Sequence, residues 1–115
     1  MIKSGCDIVK ISRMEEFLKK GGLSRCFSEK EEEYILSKRN HYETAAGIFA
    51  AKEALGKALG HGLASFSVRD AEVLHNEFGA PYFSFNNGLF ENFDISLSIS
   101  HDGDYALAFV VLQER

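Results

Sequence analysis

The chain has 115 residues, 45% hydrophobic and 26% charged, ordinary values for a soluble globule. That length fits one domain spanning 1–115 and buries roughly two-thirds of the unfolded surface. The net charge of −4 is uneven: residues 1–26 hold six basic and three acidic side chains, for +3, and the remainder carries −7. An acidic chain with one basic quarter argues against nucleic acid as a partner but leaves a local patch for an anionic one. No apolar run approaches the roughly 20 residues of a membrane span, and the opening MIKSGCDIVK has no signal-peptide pattern, so a cytoplasmic location without membrane association is expected. Cys6 and Cys26 fit no metal-binding spacing and read as two free thiols.

Residues 2–11 read as a strand. Gly5 inside it marks a bulge or a close backbone approach, two residues before Asp7. Ser12 with Glu15, and Ser28 with Glu31, have capping-box spacing, so helices are expected to Gly21-Gly22 and to about Lys38. The EKEEE run suits the positive end of a helix dipole and reads as a solvated helix start. Tyr34, Ile35 and the stem of Lys38 are expected to face inward. A long helix comes next, from about His41 to Leu59, with Asn40 as N-cap, Glu43 three residues on, and Gly60 and Gly62 as the stop.

After Gly62 the period changes to that of strands. Residues 67–74 and 81–85 are separated by the turn signal Asn76-Glu77-Phe78-Gly79, and Asn86-Asn87-Gly88 makes another turn. Ile95, Leu97 and Ile99 alternate with serines, Asp102-Gly103 turns the chain, and 105–112 is apolar on both faces, as a central strand would be. One strand, three helices and four strands give an α+β fold, an antiparallel sheet wrapped around one long helix.

That helix is almost free of large side chains, with Ala45, Ala46, Gly47, Ala50, Ala51, Ala54, Gly56 and Ala58 around it. Set among them are Lys52, Glu53 and Lys57, the last two about 40° apart on one stripe. Three polar clusters stand out: Asp7 with Arg13, Glu53 with Lys57, and Ser100 with His101 and Asp102. Each has a plain structural reading, as a cap or lysine partner, a surface i,i+4 pair, and turn residues respectively. His41, His61 and His75 receive no role. Asp7 and Glu53 together would suit Mg²⁺, an oxygen-seeking ion that completes its shell with water and phosphate. Metal, lysine and arginine without an obvious nucleophile suggest phosphoryl chemistry on a nucleophile brought by a partner.

Gly5-Cys6-Asp7-Ile8 followed by Arg13 resembles the G-x-D-I-x-x-x-x-R signature of the holo-acyl-carrier-protein synthases, small bacterial 4′-phosphopantetheinyl transferases. Phe49-Ala50-Ala51-Lys52-Glu53-Ala54 with Lys57-Ala58 resembles their F-A-x-K-E-x-x-x-K-A motif. Gly79-Ala80-Pro81-Tyr82 is similar to their G-x-P turn, and Ser98-Ile99-Ser100-His101 to their S-I-S-H strand. The resemblance implies a phosphopantetheinyl transferase-like fold, a homotrimer with sites between subunits, and transfer of 4′-phosphopantetheine from coenzyme A to a serine of apo acyl carrier protein in support of fatty-acid biosynthesis. It implies Asp7 and Glu53 as Mg²⁺ ligands, Lys57 as stabiliser of phosphate charge, and Glu53 or a metal-bound water as proton acceptor. Gly79, Pro81, Ser100 and His101 would contact coenzyme A, and Arg13 and, more loosely, Arg25 the acidic carrier protein. Many members carry Arg, commonly a coenzyme A phosphate contact, where this chain has Ile48; Lys38 or Arg39 would be the candidates to compensate. Two other functions compete: a non-catalytic coenzyme A or carrier-binding module of the same fold, and an enzyme serving carrier domains of secondary metabolism.

Overall fold

The structure, a computed structural model, describes residues 1–60, 67, 69–86 and 88–115. Strand β1 (Ile2–Lys10) runs directly into helix α1 (Ile11–Lys19), succeeded by the short α2 (Leu23–Cys26), then α3 (Glu29–Ser37) and the long α4 (His41–Leu59). Four more strands occur among the described residues: β2 (Ala71–His75), β3 (Pro81–Phe85), β4 (Phe93–Asp102) and β5 (Tyr105–Glu114), with a 3₁₀ turn at Gly88–Phe90. β1, β5 and β4 form one antiparallel sheet in that order, and β2 and β3 pair as a second, two-stranded ladder. The α+β architecture and the central place of the last strand are as the sequence suggests.

The core forms where α4 crosses the inner face of the larger sheet. Ala106, Ala108, Val110 and Leu112 alternate along β5 and are fully buried, facing the small residues of α4. Their partners across the ladders, Gly5, Asp7 and Val9 on β1 and Leu97, Ile99 and His101 on β4, lie on the same face. Gly5 is the closest approach in the sheet: a Cβ there would run into the carbonyl oxygen of Ala54 and stand 2.7 Å from the nitrogen of Ala58. Of the two roles a strand glycine can have, this is backbone proximity, and the alanines of α4 are its other half.

Helix α4 is capped where expected. Asn40 Oδ1 accepts from the Glu43 N–H at 3.0 Å, and Gly60 closes the helix in the left-handed region at φ +84°. Gly62, His61 and Asn87 lie outside the described residues. Ser28 and Glu31 form their capping box as expected.

Four local expectations need correction. Ser12 does not cap α1: the helix begins at Ile11, whose N–H is taken by the Asp104 carbonyl at 2.8 Å, so Ser12 already lies inside the first turn. The strand expected from residue 67 begins at Ala71, with Arg69 and Asp70 in a turn. Glu31 is not a solvated member of its charge run but fully buried, and Lys38 is exposed, its ammonium 4.9 Å from the Tyr34 ring centre. The one-turn α2, ahead of α3, has no clear periodic signal in four residues.

Candidate active site

The close approach at Gly5 sets the position of the rest of β1. Since Ala54 and Ala58 bracket Lys57 and come just after Glu53 on α4, pressing Gly5 against them brings Asp7 alongside both charged residues. Lys57 Nζ donates to Asp7 Oδ1 at 2.9 Å and to the Cys6 carbonyl at 3.1 Å. Lys57 therefore reaches across to the strand, and the plain reading of Glu53 and Lys57 as an isolated surface pair does not describe it. The hydrogen bond to Asp7, together with its negative charge, pushes the Lys57 ammonium pKa up. Glu53 is half-buried, and burial together with the Asp7 charge holds its carboxyl above the usual range, against a smaller opposing effect of Lys57.

Asp7, Glu53 and Arg13 line one cleft of about 450 Å³ between β1, α1 and α4, whose lining also includes Lys10, the apolar Met14, Phe17 and Phe49, and Cys26. Burial also raises the Cys26 thiol pKa. Arg25 is exposed on α2, beside Cys26, and is not among the lining residues.

The two carboxylates fit Mg²⁺. Both are hard oxygen donors lining one cleft, and the proton affinity of Glu53 is raised first by burial and then by the Asp7 charge, a repulsion that a divalent cation would relieve. Two protein ligands suffice for an ion that keeps several waters and binds phosphate oxygens. No cluster of three or more His, Cys, Asp or Glu suited to a metal occurs among the described residues.

Gly79, Pro81 and His101 come together in a second cleft of about 280 Å³, on the other flank of α4. β5 separates the two, and two strand spacings amount to about 10 Å. Gly79, at φ +83°, shapes the β2–β3 turn, where Asn76 Oδ1 accepts from the N–H of Phe78 at 2.9 Å and of Ala80 at 3.0 Å. His101 Nε2 lies 3.1 Å from the Glu43 carbonyl, over Gly47, where any Cβ would stand 2.9 Å from that nitrogen. Ile48 lines this cleft as a buried apolar side chain, and Lys38 lines it as a cation; Arg39 does not line it. Ser100 alternates to the outer face of β4, opposite Leu107, and so does not share the cleft of His101.

Tyr34, expected only to face inward, and His75, given no role from the sequence, stack in this cleft with ring centres 3.8 Å apart and planes within 4°. His75 Nδ1 is buried without a partner among the described residues, and burial, with the nearby Lys38 charge, lowers its pKa. The available signal was the position of His75 at the end of a mostly apolar strand.

An α+β fold with paired carboxylates and a lysine on a small-residue helix defines a class. The chain belongs to the 4′-phosphopantetheinyl transferase superfamily, which residues 3–110 match. Within it, the chain is similar to holo-[acyl-carrier-protein] synthases. It is 41% identical to that of Clostridium perfringens (strain SM101 / Type A), over 98% of this chain and 94% of the relative. A crystal structure from Bacillus anthracis, in complex with coenzyme A (3′,5′-ADP), superposes with a TM-score of 0.87 at 34% identity, covering 98% of this chain and 96% of that one. The Helicobacter pylori structure, in complex with coenzyme A, gives 0.86 at 34% identity, covering 98% and 100%. No helix among the described residues is long and apolar enough to cross a membrane.

Proposed function

We propose that this chain is a Mg²⁺-dependent holo-[acyl-carrier-protein] synthase, working as one domain and serving fatty-acid biosynthesis. It transfers 4′-phosphopantetheine from coenzyme A to a serine of apo acyl carrier protein. The observation that carries this reading is that Asp7 and Glu53 line one cleft while Lys57 is hydrogen-bonded to Asp7: a binding module has no need of two carboxylates and a lysine together.

In the reaction the serine oxygen attacks the β-phosphorus of coenzyme A. A bond forms between them, and the phosphoanhydride bond breaks with its electron pair leaving on adenosine 3′,5′-bisphosphate. Asp7 and Glu53 would hold Mg²⁺, which would supply neutralisation of the pyrophosphate charge. Lys57, steadied by Asp7 and the Cys6 carbonyl, places an ammonium where negative charge builds. The serine proton leaves to a base in this cleft, either Glu53 or a water held there. Arg13, exposed at the cleft and part of the +3 amino-terminal quarter, meets the acidic carrier protein, with Arg25 beside the same rim.

Gly79, Pro81 and His101 take the nucleotide part of coenzyme A, while Ser100, on the outer face of β4, stands apart from them. They lie away from the Asp7 cleft of their own chain, which favours a site completed between copies in a homotrimer. The outer face of the larger sheet supplies the surface: Ile8, Leu107 and Phe109 stand side by side on it and are 61%, 39% and 45% exposed. Two free thiols, at Cys6 and Cys26, suit a cytoplasmic setting.

The test is the intact mass of apo acyl carrier protein after incubation with this protein, coenzyme A and Mg²⁺. One added phosphopantetheine, absent with EDTA and absent in a carrier Ser→Ala variant, is the expected result. An unchanged carrier mass, with coenzyme A still bound by calorimetry, would overturn the proposal in favour of a binding module.

A further inference from the structure

Lys52 precedes Glu53 on α4 and points about 100° away from it, out of the Asp7 cleft and into the core. Its side chain is fully buried. Nζ donates to Glu31 Oε1 at 2.6 Å and to the Cys26 carbonyl at 3.2 Å. Glu31 is equally buried and fully used: Oε1 also accepts from the Ser28 N–H at 2.9 Å, and Oε2 accepts from the Val73 N–H at 2.7 Å. A single carboxylate thus joins α3, β2 and α4, and the lysine extends the network to the last residue of α2.

Helix α2 needs such a fixture. It is one turn long, has no side-chain cap at its start, and cannot be stable by its own hydrogen bonds. Its outer part is tied by Arg69 Nη2, which donates to the Ser24 carbonyl at 2.7 Å; its inner end is tied by Lys52. Cys26, whose carbonyl Lys52 holds, lines the cleft containing Asp7 and Glu53. Arg25 is the residue before it. A buried ion pair is seldom more stable than apolar residues of the same volume, so stability alone is a weak reason for this one. What it does provide is a fixed distance between α4 and α2.

We propose that Lys52 and Glu31 are a positioning pair, which sets α2 against α4 and thereby fixes the Cys26 wall of the cleft and the placement of Arg25 for carrier-protein docking. Neither touches substrate. The docking half of this statement rests on the synthase reading; the placement of α2 does not.

The experiment uses the full chain with Lys52→Met, which keeps length and removes charge, and the milder Glu31→Gln. Fold is monitored by circular dichroism. Two readouts are then taken: iodoacetamide alkylation of Cys26 relative to Cys6, resolved by peptide mass, and the separate KM values for carrier protein and coenzyme A. In the native chain burial keeps the Cys26 thiol protonated and slow to react. Release of its carbonyl is expected to speed Cys26 labelling about tenfold relative to Cys6 through local opening. The carrier KM should rise about fivefold while the coenzyme A KM stays at its native value.

In a folded variant, an unchanged ratio of Cys26 to Cys6 labelling, or KM values that rise together, overturns the proposal. Loss of fold in both variants overturns it as well, by making the pair a determinant of the whole structure. If the native chain modifies no carrier protein, faster Cys26 labelling still supports the placement of α2, and the failure belongs to the synthase reading.

Discussion

Glu53 sits under two burdens, its own burial and the negative charge of Asp7. Its folded-state pKa is raised above the unfolded value, so its contribution to stability is full below the ordinary carboxylate range and is lost as pH rises through the raised value. Glu53→Gln should therefore raise the Tm of the metal-free protein at neutral pH, only slightly because solvent screens the site, and the difference should close at acidic pH. Mg²⁺ should raise the native Tm and leave that of the variant unchanged, which a thermal scan with and without EDTA reads directly. The same variant should lose phosphopantetheine transfer by about 10²-fold or more. Arg13→Glu should raise the carrier KM about tenfold and leave the coenzyme A KM alone. At this scale the sequence was legible where chemistry is unusual for its surroundings, as at Asp7 among apolar neighbours. It was misleading at Glu31, whose burial depends on Lys52, 21 residues further on, and which looks from its own neighbours like one more solvated glutamate.

Between α4 and β1 no side chain intervenes at Gly5, and that contact aligns the site. Gly5→Ala places a methyl against the Ala54 carbonyl, forces the strand outward, and should cost about 2–3 kcal/mol in a denaturant titration. Asp7, two residues on, should lose its grip on Lys57, so activity should fall further than stability predicts. The limits of α4 could be read from sequence because both ends carry their own chemistry, Asn40 at one and Gly60 at the other. The start of α1 could not, because a carbonyl from the distant β4–β5 turn, that of Asp104, takes the place of the local cap. The stacking of Tyr34 on His75 is hidden for the same reason: it joins α3 to β2 across 41 positions.

The outer face of the larger sheet carries a row of exposed apolar side chains. Leu107 lies between Ile8 and Ser100, and Phe109 between Cys6 and Ser98, in a row with no covering element among the described residues. Exposed apolar patches of this kind mark interfaces. For the homotrimer proposed above, Phe109→Asp should leave monomers in analytical ultracentrifugation, and transfer activity should disappear with it because the two clefts of one chain open on opposite flanks of α4. Which strands pair could be anticipated at the β4–β5 hairpin, where a tight turn joins them. The pairing of β1 with β5 could not, since Ile2 lies opposite Gln113. That pairing has a consequence for the order of assembly during synthesis. The strand that brings Asp7 to the cleft has its hydrogen-bonding partner at the far end of the chain, and long-range pairings form late. A nascent chain that has emerged only as far as β4 already contains Asp7, Glu53 and Lys57, but has no ladder to hold the first against the other two. Competence is thus acquired only once Tyr105–Glu114 has emerged, and a ribosome stalled before that strand should display an inactive polypeptide.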